Sequence, residues 1–338
     1  MRGRLGIAVL VLSLHVGACG KKKAADSNNP SPEVTGLAAV PATAQVLIAV
    51  DVTKLQDSAL VARAVDQLLM RDPVLAARWA EVQDSCKLDL GKQLKRVMLA
   101  LGPPPQGAAT GTGPVLMVAN GTIAEPDLAS CIRTMVGKGG GTLTVKTVGG
   151  RSVYQVKDGN RTMFFAFGRA DTIILGTSEP WVLDALGTGP KALDNPEIKT
   201  LLPLADQNAP IWALGKVDER VRQGLVGASG GRLKTGPSAI VATLDPTDGA
   251  RINLGAVMSS AEDAKALESF ANTELKVVTM VAQMKSLGPI VAKVAVTAEG
   301  TVVRFRAPLT VEDVNQLLSV LDEKPASEQG SPPPEPPK

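Results

Sequence analysis

The residues able to do chemistry in this chain are few, and most fall where helices begin or end. Paired carboxylates occur at Glu125/Asp127, Glu262/Asp263 and Glu312/Asp313, the residue type that performs acid–base work on a glycoside. Each pair opens a segment of helical periodicity, where negative charge complements the helix dipole, so the pairs are assigned to capping. The run GKGGG at 137–141 follows a helix instead of a strand and lacks the lysine-serine ending of a phosphate loop, so it reads as a helix stop. SGGRLKTGP at 229–237 fails the same spacing test. DPTDG at 245–249 offers oxygen ligands of the kind calcium takes, but without the closing acidic residue it is a hairpin turn. No catalytic residue, cofactor site or metal site is expected.

The chain holds one histidine, His15, inside an apolar run from Leu5 to about Ala18 that follows the basic start Met-Arg-Gly-Arg. That run is shorter than the roughly 20 apolar residues needed to cross a bilayer. A basic start, a short apolar core and a small-residue exit are the parts of a secretory signal peptide. The exit Val16-Gly17-Ala18-Cys19 resembles the lipobox of bacterial lipoproteins. The resemblance implies that residues 1–18 are removed and that Cys19, acylated on its thiol, becomes the N-terminus. It also implies that Gly20 directs the protein to an outer membrane. Lys21, Lys22 and Lys23 would then lie among headgroups, adding about 1 kcal/mol of attraction each to an anionic surface. A mature chain without His15 has no histidine, which excludes Ser-His-Asp and Cys-His catalysis and His-ligated metal sites.

Residues 36–322 carry 29 Lys/Arg against 28 Asp/Glu, and aromatic residues are 3% of the chain. Neither a basic footprint nor stacking platforms for nucleic acid are present. Besides Cys19, two cysteines remain, Cys86 and Cys131, and an even pair in an oxidising compartment predicts a disulfide. The alternative is two buried thiols, since Cys131 shares the apolar side of a helix with Leu128, Ile132 and Met135. No second run of 18 apolar residues exists, so the body is expected to be soluble and held to a membrane by its lipid alone.

The elements that must position these residues follow from hydrophobic periodicity. A strand at Val46–Val50 leads to a helix from about Thr53 to Met70, and Asp72-Pro73 opens another to about Asp84. Then strand, strand and helix recur: 95–101, 115–119 and 126–136; 152–156 and 162–167, turned at KDGN, with a third strand at 172–176 and a helix capped by Ser178. A strand at 211–217 and a helix from Asp218 restart the series. It continues with 239–244, 251–257 and a helix capped by Ser260, then 291–296, 301–306 and a helix opened by a Thr310/Asp313 capping box. The aromatic stripe Phe164, Phe165, Phe167 with Trp181 is read as core, Phe164 facing opposite to the other two.

This order predicts an α+β fold, mainly antiparallel, with helices packed on one face and two similar halves at 38–200 and 201–322. Residues 19–37 read as the lipidated cysteine and a disordered tether, and 323–338 as a disordered proline-rich tail. The segment Pro41-Ala42-Thr43-Ala44-Gln45-Val46 with Asp51 distantly resembles the opening strand of uncharacterised bacterial envelope proteins. The expected function is a non-enzymatic envelope module, attached to membrane lipid through acylated Cys19, that binds a protein or lipid partner and not nucleic acid. The alternative is an envelope hydrolase using Ser/Lys or paired carboxylates, which a cleft with converging groups of shifted acidity would favour.

Overall fold

The computed structural model describes residues 34–322 apart from 107, 109–111 and 285. Cys19, the signal segment and the proline-rich tail lie outside the described residues. Twelve strands form one sheet among these residues: β1 Val46–Asp51, β2 Leu94–Leu101, β3 Val115–Gly121, β4 Thr142–Val148, β5 Arg151–Asp158, β6 Arg161–Arg169, β7 Thr172–Gly176, β8 Ile211–Lys216, β9 Ala239–Asp245, β10 Ala250–Val257, β11 Ala295–Glu299 and β12 Val302–Leu309. Their spatial order is β11-β12-β10-β9-β8-β1-β2-β3-β7-β6-β5-β4, and every neighbouring pair is antiparallel. The fold is α+β.

The helices are α1 Val52–Leu55, α2 Ala59–Arg71, α3 Pro73–Cys86, α4 Leu90–Gln93, α5 Glu125–Lys138, α6 Glu179–Leu186, α7 Pro196–Leu201, α8 Glu219–Ala228, α9 Ala261–Gln283, α10 Gly288–Val291 and α11 Val311–Asp322. Alternation along the strands sends successive side chains to opposite faces. On one face α3, α4 and α5 cover Ala119, Phe165, Phe167 and Ile173, while α8 and α9 cover Ala256, Val296 and Val303. The start of α2 meets α10 and α11 there, through Leu60, Leu287, Ile290 and Leu317. The other face buries Leu47, Leu116, Phe164 and Leu214 under α6, α7 and short turns around Leu37 and Ala192. Helices therefore dominate one face without being confined to it. The aromatic stripe divides as the alternation predicts, with Phe164 on one face and Phe165 and Phe167 on the other.

Three local differences from the sequence reading have physical causes. The expected helix from Thr53 to Met70 breaks between α1 and α2, because the Ser58 hydroxyl accepts the Val61 N–H and caps a new start. Residues 291–294 finish a helical turn, and β11 begins only at Ala295. Val34, inside the expected tether, is fully buried, and Gly36–Ala38 form a 3-10 turn, so ordered structure starts ahead of residue 38.

Candidate functional site

Cys86 and Cys131 form a disulfide with Cα atoms 4.9 Å apart, fastening the last turn of α3 to α5. The acidic pairs lie in the first turns of α5, α9 and α11. Ser260 caps α9 by accepting the Asp263 N–H at 3.1 Å while its hydroxyl donates to Asp263 Oδ2. Asp313 accepts the Thr310 N–H at 2.7 Å and an ammonium proton from Lys293, and its own N–H donates to Thr310 Oγ1, completing a capping box. Glu125 Oε1 accepts the Tyr154 hydroxyl at 2.8 Å. Burial, then the neighbouring Glu125 carboxylate, pushes the Tyr154 phenol upward.

The displaced carboxylates all move the same way. The Lys293 ammonium holds Asp313 below the usual carboxylate range, the Arg306 guanidinium does so for Glu299, and Lys92 for Asp89. Asp245, in DPTDG, accepts hydrogen bonds from the Thr247 hydroxyl and from Arg251, and titrates at about 2. Lowered pKa values belong to paired, ionised carboxylates, whereas a general acid at neutral pH needs the opposite shift. The glycine runs are structural too. GKGGG ends α5, with the Gly141 N–H donating to Val136 O, and Gly140 has φ +74°. In SGGRLKTGP, Arg232 pairs with Glu274 and lies 4.5 Å from the Phe270 ring centre, and Lys234 pairs with Glu262.

Two features escaped the sequence reading. The first is a set of large apolar side chains left in solvent on the helix-rich face. Leu68 and Met70 on α2, Val74 on α3, and Val277, Val278, Met280 and Val281 on α9 are all exposed, as is Met284 at the end of α9 at 79%. Scattered single residues need no explanation, but here eight such side chains lie on or at the end of three helices, α2, α3 and α9. The only helical signal available was an apolar stripe too wide for one buried face.

The second is a cleft on the opposite face, at the C-terminal end of β1. Register places Asp51 beside Arg96, Arg96 beside Asn120, and Asn120 beside Thr172. This polar row crosses β1, β2, β3 and β7. Two residues inward, about 7 Å along the strands, the same register aligns Trp212, Ala49, Met98 and Val118 in an apolar row. Lys54 from α1 reaches over, donating to Asn208 O at 2.6 Å, with Asp51 Oδ2 3.8 Å away. Arg96 Nε is also 3.8 Å from Asp51 Oδ2. Asn120 Nδ2 donates to Thr35 Oγ1 at 2.7 Å and Thr172 Oγ1 at 2.8 Å, which ties the segment before the 3-10 turn to the cleft. The cavity measures about 400 Å³, within the roughly 300–1,000 Å³ that small-molecule clefts span.

No family model matches the chain, and no curated protein matches it. Among solved structures, crystal form I of TP0453 aligns with 86% of this chain and 99% of its own, at 10% identity and a TM-score of 0.46.

Proposed function

We propose that this chain is a bacterial envelope lipoprotein, anchored at an outer membrane through acylated Cys19, whose body binds a protein or lipid partner without chemistry of its own. The exposed apolar side chains on α2, α3 and α9 carry the binding reading. Leaving Met70, Val74, Met280 and Met284 in water gains nothing for the fold, and burying them against a partner recovers about 25 cal/mol per Å². The Val16-Gly17-Ala18-Cys19 exit supports the anchor. Fully extended, the fifteen residues from Gly20 to Val34 span at most about 50 Å, so the anchor would hold the body close to one membrane.

Two experiments test the parts separately. Mass spectrometry of the mature protein should find acylated Cys19 at the N-terminus; an unmodified terminus at Ala24 or beyond in membrane-extracted protein would sink the anchor. A photo-crosslinker at position 280 in cells should trap one dominant protein or lipid, and Leu68→Ser with Met284→Ser should abolish that adduct at unchanged abundance. If one conservative carboxylate change removed function at normal abundance, hydrolysis would replace binding.

A further inference from the structure

We infer that the cleft at the end of β1 binds an amphipathic anion, a molecule with a carboxylate or phosphate head and an apolar body, such as a single-chain lipid. The two cross-strand rows supply the match. The apolar row Ala49, Met98, Val118 and Trp212 offers a surface shielded from water, with Trp212 only 6% exposed. The polar row about 7 Å away along the strands presents the charges. Lys54, Lys95 and Arg96 line the cleft and its adjoining mouth, against the single carboxylate of Asp51, so the lining carries an excess of positive charge.

Lys54 and Arg96 pair with that carboxylate only loosely. Each stands 3.8 Å from Asp51 Oδ2, an ion pair beyond the 2.7–3.2 Å of a hydrogen bond. Lys54 spends one of its three donors on Asn208 O, and Arg96 presents a planar fork suited to a carboxylate or phosphate. A head group seated between Lys54 and Arg96 would take up these donors, and the attached chain would run inward over Met98 and Val118. The site is independent of the anchor and of the exposed helical surface on the opposite face.

The test is a titration of the full chain, reconstituted in phosphatidylcholine nanodiscs and labelled on methionine methyls, with empty discs as reference. Octanoate and octyl phosphate should shift the Met98 methyl signal saturably while leaving Met280 and Met284 unmoved. Octyltrimethylammonium should not shift it. Lys54→Gln and Arg96→Gln should each weaken both anions about tenfold, as loss of a charge-assisted hydrogen bond does. Unchanged affinity in the double variant, at an unchanged melting temperature, overturns the assignment. Equal binding of octyltrimethylammonium overturns the charge selection, and inorganic phosphate binding as tightly as octyl phosphate overturns the amphipathic ligand. The Cys19→Ala chain should give the same affinities, which separates failure of this site from failure of the anchor.

Discussion

Replacing both Cys86 and Cys131 with alanine probes how α3 is fastened to α5. The cysteines are 45 positions apart and enclose α4, β2, β3 and the first half of α5. In the chain-entropy picture a closed loop of that length stabilises the fold by about 4 kcal/mol. A body of nearly 300 residues unfolds with an entropy near 0.6 kcal/mol/K, so the melting temperature should fall by roughly 7 °C. The missing sulfurs add a smaller packing loss, mostly at buried Cys131, whose Sγ lies 3.8 Å from Met135 Sδ. The loss should also be uneven. Among its described side chains α3 has none that is fully buried, so without the bond its amides should exchange faster than those of β2 and β3. Calorimetry and hydrogen exchange on the double variant measure both effects. A fall of less than 2 °C, with exchange in α3 unchanged, would refute the reasoning.

Further substitutions test the site geometry. Asp245 titrates at about 2 against an ordinary 3.8, chiefly through the Thr247 hydroxyl and Arg251. Its stabilisation is therefore complete above about pH 4 and is lost as pH falls through 2. Melting curves should drop more steeply with acid across that window in the wild type than in Asp245→Asn. At Gly249, φ is +81° and an added Cβ would stand 2.1 Å from Leu309 O, so Gly249→Ala should cost more than about 1 kcal/mol in denaturant unfolding. Ser260→Ala should cost about 1 kcal/mol by the same measurement, through the lost cap of α9.

The sequence reading was strongest where local chemistry decides structure. DPTDG and KDGN turn hairpins, Ser260 and Thr310 start helices, and Phe164 and Phe165 take opposite faces, because each follows from a few adjacent residues. Strand β4 was passed over although Leu143 and Val145 alternate with polar residues; it is an edge strand whose side chains are mostly exposed, so little apolar contrast marks it. The cleft was not legible at all. Asp51, Arg96, Asn120 and Trp212 are spread over 162 positions and meet only through the registers of four strands, which no local pattern encodes. Asn120, whose side chain holds Thr35 and Thr172 together, sits in a short Asn-Gly-Thr segment that gives no local hint of that role.

Strands β1 and β8, which open the two similar series of elements, lie side by side and antiparallel, with Val46 opposite Gly215 and Val50 opposite Ile211. Self-pairing of equivalent strands is what a two-fold axis produces in a homodimer. Here one chain supplies both partners, and the link between them makes their meeting intramolecular. A true homodimer must carry the same residues at both ends of such a seam; a single chain is free of that constraint. The two ends of this seam differ. One holds Asp51, Lys54 and Arg96 around an apolar row, and the other is walled by Pro103, Pro104 and Pro105 beside Lys216 and Arg220, around a cavity of about 500 Å³. The seam between β1 and β8 thus ends in two hollows of different chemistry, each able to change without altering the other.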